Sequence, residues 1–203
     1  MQSSRCKIRG RPRDQVCHDD ILEAALSLLD EQCYSEITIE RIAARAKCGK
    51  PTIYRRWKTK ADLVLEAYAE RATRTVPPIA PSDDVLHDLK IMLVQLFEVA
   101  RQPMNERAVR SFVAEAQFDV PFREKFYAMF LEKRRGVVRE LLQHGVAIGQ
   151  IRSDLDAEAT IDMIYGAFIF RLLFGHGDLN GRLAGQIVGV LRSGIVKAEP
   201  TDV

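Results

Sequence analysis

Glycine and proline are distributed very unevenly along this 203-residue chain. No glycine lies between Gly49 and Gly136, and no proline lies between Pro121 and Pro200. Because these two residues most often interrupt secondary structure, both intervals favour long helices. Strand patterns, such as alternating apolar runs joined by Asn-Gly or Asp-Gly turns, are lacking. We therefore expect an all-α fold of about nine helices.

Apolar residues recur at helical spacing in the first 75 residues. The spacing predicts four helices, at about residues 15–32, 38–46, 50–56 and 60–75. Thr38 is expected to be the N-cap of the second helix. Thr59 with Asp62 three residues later resembles a capping box that begins the fourth helix.

The clearest break in the chain is a proline-rich segment at residues 76–82, which contains three prolines. Because proline does not continue a helix, we place a linker here. It separates an N-terminal helical domain, residues 15–75, from a larger C-terminal helical domain, residues 83–203. A basic arm, residues 1–14, precedes the first domain.

The larger domain is expected to contain five helices, beginning near residues 86, 103, 121, 156 and 180. The helix that begins near 121 is long, and its expected inward residues are Phe122, Phe126, Phe130, Val137 and Leu141. In the next helix only Asp162 and Arg171 interrupt an apolar run from Ile161 to Phe174. Such a helix must be covered on every face, and we expect a second subunit to provide the cover. The expected interface residues are Leu172, Phe174, Ile187, Val190 and Leu191.

The charges are segregated, although the formal net charge is only +2, which taken alone argues against nucleic acid as a partner. Residues 1–13 contain five basic residues and no acidic one, and residues 41–60 contain eight and none. Residues 76–203 contain 15 basic and 17 acidic residues. A solvated basic face would produce this pattern, but the sharper interpretation is a surface for DNA phosphates.

The second basic segment also contains two short helices joined by a tight connection, which is the arrangement of a helix-turn-helix. Ile53 and Trp57, four residues apart, would anchor the second of these helices to the core. Lys50 and Thr52 at its N-terminal end would then enter the major groove.

Residues 38–63, TIERIAARAKCGKPTIYRRWKTKADL, are similar to the DNA-binding domain of the TetR family of bacterial transcriptional regulators. The preceding ILEAALSLLDEQCYSEIT matches that family's first helix and its connection. The resemblance implies an N-terminal three-helix helix-turn-helix DNA-binding domain joined to a larger C-terminal helical ligand-binding and dimerisation domain. It also implies a homodimer that binds a palindromic double-stranded DNA operator.

The same resemblance implies roles for individual residues. Expected base contacts are Lys50, Pro51, Thr52 and Arg55. Expected phosphate contacts are Thr38, Lys47, Tyr54, Arg56, Lys58 and Lys60. An extended Arg-Gly-Arg-Pro segment suits a narrow minor groove, although a nonspecific basic tail would have the same composition. The expected arm residues are Arg9, Arg11 and Arg13.

The chain departs from the family pattern in the turn of the helix-turn-helix. Family members usually have glycine at position 47, whereas this chain has Lys47, and Gly49 follows two residues later. Lys47 is expected either to adopt a left-handed backbone or to shift the turn. In both cases it adds a positive charge that faces DNA.

All nine phenylalanines lie after residue 96. Plain core packing is one interpretation of this enrichment. Aromatic and methionine side chains also line small-molecule pockets in helical bundles, and the resemblance implies such a pocket. Its expected lining residues are Met92, Phe112, Phe126, Phe130, Tyr165 and Phe168. Because no cluster of charges accompanies them, we expect a hydrophobic or amphipathic effector.

Other classes of protein are not supported by the sequence. The four histidines and four cysteines match no catalytic or metal-binding spacing, so we expect no enzymatic activity, no metal and no cofactor. The longest apolar run is too short to span a bilayer, and no secretory h-region occurs near the start, so we expect a cytoplasmic protein without a membrane partner. The expected function is a ligand-released repressor. The alternatives are an activator of the same family and a helical ligand-binding or interaction protein that does not act on DNA.

Overall fold

The computed structural model describes residues 13–77 and 79–195, and within these ranges the regular secondary structure is helical, as predicted. In the N-terminal part the helices are α1 (Arg13–Glu31), a 3-10 turn (Tyr34–Glu36), α2 (Ile39–Arg45), α3 (Lys50–Tyr54) and α4 (Lys60–Thr75). Beyond the linker they are α5 (Val85–Ala100), α6 (Pro103–Phe118), α7 (Val120–Phe126), a π-helical turn (Tyr127–Leu131), α8 (Glu132–Ala147), α9 (Ala157–Phe174) and α10 (Gly181–Ile195).

Both predicted helix starts in the N-terminal part are confirmed. Thr38 is the N-cap of α2, and its hydroxyl accepts a hydrogen bond from the Arg41 amide. Thr59 and Asp62 form the capping box of α4, in which each side chain accepts a hydrogen bond from the other residue's amide. Each cap of this kind contributes about 1 kcal/mol to helix stability.

The long helix predicted from residue 121 is built from α7 and α8, joined through the π-helical turn. Phe122, Phe126 and Leu141 are buried as predicted. Val137 is only half-buried, and Val138 lies in the core instead. A π-helical turn adds one residue to the helix, so the inward face beyond it is shifted by one residue, to Val138 and Leu142, and Leu141 beside Leu142 remains buried.

The core is continuous between the two parts of the chain. Tyr34 and Tyr68 pack edge-on against Phe112 at centroid distances of 5.8 and 5.2 Å. Arg107 on α6 donates a hydrogen bond to the Asp30 carbonyl at the end of α1. The helix-turn-helix part and the larger part are therefore held together by aromatic packing as well as by polar contacts.

The terminal helices correct two of the predicted interface residues. Leu172 on α9 and Leu191 on α10 are buried inside the single chain, Leu172 in the same core cluster as Phe168 one turn earlier. They are therefore not available at the surface of one protomer. Phe174 is 69% exposed and Val190 76% exposed, while Ile187 is half-buried.

Candidate nucleic-acid interface and interior cavity

In the connection between α2 and α3, Lys47 adopts the left-handed conformation, which is the first of its two predicted alternatives. Lys47 has φ of 52° and is the one non-glycine residue with positive φ in the described ranges. The Cys48 amide donates to the Ala43 carbonyl at 3.0 Å, which closes the end of α2. A non-glycine side chain in this conformation costs about 1–2 kcal/mol, so the turn places a cation here against a local backbone preference.

Helix α3 is anchored from its inner side, as predicted. Ile53 is completely buried, and Trp57, just beyond the helix, is 3% exposed. The Trp57 indole donates a hydrogen bond to the Glu66 carboxylate on α4 at 2.9 Å. This bond fixes the end of the recognition segment against the following long helix.

Most residues predicted to contact DNA are exposed around α3. The exposed members of the set are Thr38, Lys47, Lys50, Pro51, Tyr54, Arg55, Arg56 and Lys58. Thr52 is half-buried. The arm residues Arg9 and Arg11 lie outside the described residues, and of Arg13 only the backbone is described, as the first residue of α1.

Lys50 is engaged by an acidic neighbour. Its ammonium group lies 3.0 Å from a carboxylate oxygen of Glu40 on α2. This hydrogen bond raises the pKa of Lys50 and lowers the pKa of Glu40. A base contact from Lys50 would have to replace this pairing.

Lys60 is half-buried, and its ammonium group is engaged within the chain. Its Nζ donates to the Tyr34 carbonyl at 3.0 Å and lies 4.0 Å from the centroid of the Tyr34 ring. Burial lowers the pKa of Lys60. In this structure the ammonium group is committed to the 3-10 turn that precedes α2, so the predicted phosphate contact would require Lys60 to leave this partner.

A second basic residue of the segment is committed to packing. The Arg45 guanidinium makes two hydrogen bonds, of 2.6 and 2.9 Å, to the Glu31 carboxylate at the end of α1. This pair joins α2 to α1. The number of basic residues in 41–60 thus overstates the charge that is available to DNA.

An apolar cavity of about 540 Å³ lies among the helices of the larger part of the chain and α4. Its walls come from α4, α5, α6, α7, the π-helical turn, α8 and α9. Of the predicted pocket residues, four line it: Phe126, Phe130, Tyr165 and Phe168. Two do not. Phe112 is buried among the rings of Tyr68 and Phe126, and Met92 borders a separate void of about 10 Å³, which is too small for a ligand.

Sequence reasoning missed the part that α4 plays in this cavity. Tyr68, Ala72 and Val76 form one wall of it, although they come from the N-terminal part of the chain. Arg134 on α8 also lines the cavity and donates to the carbonyls of Ala72 and Val76, at 2.6 and 3.1 Å. Burial lowers the pKa of Arg134. The only sequence signal for this wall was the apolar face of α4.

The remaining polar groups of the cavity are largely paired with protein. The Tyr165 hydroxyl donates to the Arg134 carbonyl at 2.9 Å, and burial raises the pKa of Tyr165 to about 12. Arg135 is paired with Glu158 and Asp162. The space inside is therefore suited to a mainly apolar molecule.

Among the residues described, no helix is long and apolar enough to cross a membrane.

Comparison with known proteins agrees with this architecture. Residues 21–67 match the family described as "Bacterial regulatory proteins, tetR family", and residues 79–191 match "Tetracyclin repressor-like, C-terminal domain". The HTH-type transcriptional regulator YdeS of Bacillus subtilis is 31% identical over 196 residues, which cover 96% of this chain and 97% of YdeS.

Solved structures show the same fold. The TetR family transcription regulator SCO0332 superposes with a TM-score of 0.76 at 26% identity, covering 88% of this chain and 97% of that one. The transcriptional regulator FadR from Bacillus subtilis, solved in complex with stearoyl-CoA, superposes with a TM-score of 0.65 at 22% identity, covering 88% and 99%. These relatives are transcription regulators and not enzymes. With both halves of the chain matched, the protein is a member of the TetR family of bacterial transcriptional regulators.

Proposed function

We propose that this regulator is a homodimeric repressor in the cytoplasm that binds a palindromic operator and is released by a small hydrophobic effector. The observation that carries the proposal is the shared helix α4. It begins directly after the recognition segment, and its other end forms a wall of the apolar cavity. A ligand in the cavity would therefore act on the helix that adjoins the DNA-binding surface.

Recognition of DNA would divide between bases and phosphates. Lys50, Pro51, Thr52 and Arg55, at and just after α3, would contact bases in the major groove. The proposed phosphate contacts are Thr38, Lys47, Tyr54, Arg56 and Lys58. Arg9, Arg11 and Arg13 would lie in the adjacent minor groove. Two copies of α3, held about 34 Å apart by the dimer, would read successive turns of the operator.

The coupling would pass through polar contacts at both ends of α4. At its C-terminal end, Arg134 joins two carbonyls of this segment to the cavity wall. At its N-terminal end, Lys125 on α7 lies 2.7 Å from the Asp62 carboxylate. Burial alone would raise the pKa of Asp62, but hydrogen bonds from Lys125 and Thr59 lower it overall. A ligand that binds more tightly to another arrangement of these contacts would lower operator affinity by the corresponding free energy.

The chemistry of the effector follows from the cavity. Apolar side chains dominate its surface, and a volume of about 540 Å³ accommodates a drug-sized molecule. That FadR binds stearoyl-CoA within the same fold supports a hydrophobic effector for this chain.

The proposed dimer interface lies on α9 and α10. Phe174 and Val190 are exposed apolar residues there, and Met163 and Phe170 on α9 are 60% and 56% exposed. With the half-buried Ile187, they form the residual apolar surface that a second copy would cover. Leu172 and Leu191 would support this surface from inside.

The test is binding of the full-length protein to the DNA upstream of its own gene, measured by fluorescence anisotropy at several salt concentrations. Specific, salt-dependent binding that long-chain acyl compounds weaken would support a repressor. An activator would bind the same DNA but raise transcription in a reconstituted assay. If no upstream fragment is preferred over random DNA, the proposed function is wrong.

A further inference from the structure

Three side chains with metal-binding chemistry meet between α1 and α4. His18 comes from α1, and Glu66 and Glu70 come from α4, one helical turn apart on the same face. One potential ligand atom of each lies within 4.8 Å of the others. None of these residues belongs to the cavity or to the predicted DNA contacts.

The imidazole and one carboxylate of this cluster are oriented by the same neighbour. The His18 ring stacks on Trp57, with centroids 5.1 Å apart and planes inclined by 13°. The Trp57 indole also donates to one oxygen of Glu66 at 2.9 Å. The other Glu66 oxygen lies 3.8 Å from His18 Nε2, which is beyond hydrogen-bond distance. Two ligands are thus held close together without bonding to each other.

The polar groups of the cluster are incompletely satisfied. His18 Nδ1 is buried without a hydrogen-bond partner among the residues that the structure describes. Within the same residues, Glu70 makes no hydrogen bond or ion pair. Two carboxylates one turn apart repel each other, so a cation between them would relieve an unfavourable contact.

We propose that His18, Glu66 and Glu70 form a binding site for a divalent transition-metal ion. An imidazole nitrogen with two carboxylate oxygens favours ions such as Zn²⁺, Fe²⁺ or Co²⁺ over Mg²⁺ and Ca²⁺, which prefer oxygen ligands alone. Three protein ligands leave further positions for water. The bound ion would join α1 to α4 beside Trp57, at the base of the helix-turn-helix. This inference does not depend on the proposed operator or effector.

The chain contains its own reporter for this site, because Trp57 is its one tryptophan and stacks on a proposed ligand. The probe is Co²⁺, a paramagnetic ion that quenches tryptophan fluorescence at short range. We expect saturable quenching of the chelator-treated, full-length protein at one ion per chain, with the same stoichiometry by calorimetry.

Glu70→Gln is the decisive variant, since Glu70 is exposed and its replacement leaves the core intact. We expect Co²⁺ affinity to fall at least about tenfold in Glu70→Gln and in His18→Gln, because even the loss of a supporting group costs that much. Glu124→Gln on α7 and His87→Gln on α5, both exposed and distant from the cluster in sequence, are the matched controls and should bind like the parent protein.

Three results would overturn the site. The first is no saturable Co²⁺ binding by the parent protein. The second is unchanged affinity in both Glu70→Gln and His18→Gln. The third is a strong near-ultraviolet thiolate–cobalt absorption band that accompanies the quenching, which would assign the ion to cysteine.

Discussion

Arg134 offers the sharpest test of how the cavity is joined to α4. In Arg134→Met the side chain keeps an unbranched apolar stem but loses the guanidinium group and with it both hydrogen bonds. The Ala72 carbonyl would retain its helical partner, the Val76 amide at 3.0 Å. The Val76 carbonyl would lose the bond from Arg134. An acceptor left unpaired in this way costs about 1–3 kcal/mol.

Part of that cost would be recovered. Burial disfavours the charged guanidinium group of Arg134, as its lowered pKa indicates, whereas a methionine side chain can be buried beside the apolar cavity without this penalty. We therefore expect the free energy of unfolding to fall by about 1–2 kcal/mol, which lowers the Tm by about 2–8 °C for a chain of this size. Circular dichroism melting measures this change.

The functional consequence concerns the effector rather than the DNA. The effector response can be expressed as the operator Kd measured with effector divided by the operator Kd measured without it. If Arg134 couples the cavity to α4, this ratio should be about tenfold smaller in Arg134→Met than in the parent protein, which is a loss of about 1.4 kcal/mol in coupling free energy. Arg135→Met is the matched control, since Arg135 adjoins the same cavity but is paired with Glu158 and Asp162 on α9. An Arg134→Met protein with the parental Tm and the parental effector ratio would refute this coupling.

Three further predictions follow from the surface, the proposed dimer and the buried tyrosines. Lys58→Ala should weaken binding to all DNA and reduce the slope of log K against log salt by about 1, whereas Thr52→Ala should mainly relax base preference; equal effects of both on operator and random DNA would contradict these roles. Val190→Glu should shift the protein from dimer to monomer in analytical ultracentrifugation and weaken operator binding, while Ile148→Glu, at an exposed position beyond α8, should change neither. Burial raises the pKa of Tyr68 and of Tyr165 to about 12. The folded state therefore keeps protons that the unfolded chain releases near pH 10, so stability should fall from about pH 10 to 12, and Tyr68→Phe should flatten this decline in denaturant titrations.

Local signals were predicted best. The caps at Thr38 and Thr59 follow from short-range backbone chemistry, and the structure confirms both. For Lys47 the same chemistry left two alternatives, of which the structure has the left-handed one. The engagement of Lys60 could not be predicted, because its partner, the Tyr34 carbonyl, lies 26 residues away and has no signature in sequence.

Helical periodicity predicted the exposed surface less well where more than one face of a helix is apolar. On the apolar α9, periodicity does not say which face meets the protomer's own core, so Leu172 was assigned to a neighbour. Four of the six residues predicted to line the cavity do so. Aromatic side chains indicate which residues lie inside a helical bundle, but they do not indicate where the bundle leaves space for a ligand. That α4 forms a wall depends on how the two parts of the chain pack, which periodicity does not encode.

The π-helical turn fixes the rotational phase between two helices. The wider turn absorbs one extra residue between α7 and α8, while Phe126 before it and Val138 after it both remain in the core. Removing one residue from 127–131, such as the exposed Ala128, would therefore restore a continuous α-helix in which the present Val138 still faces the core. Removing one residue from α8 beyond the turn and before Val138 would instead rotate that buried position away from the core by about 100°, because each residue of an α-helix advances by that angle.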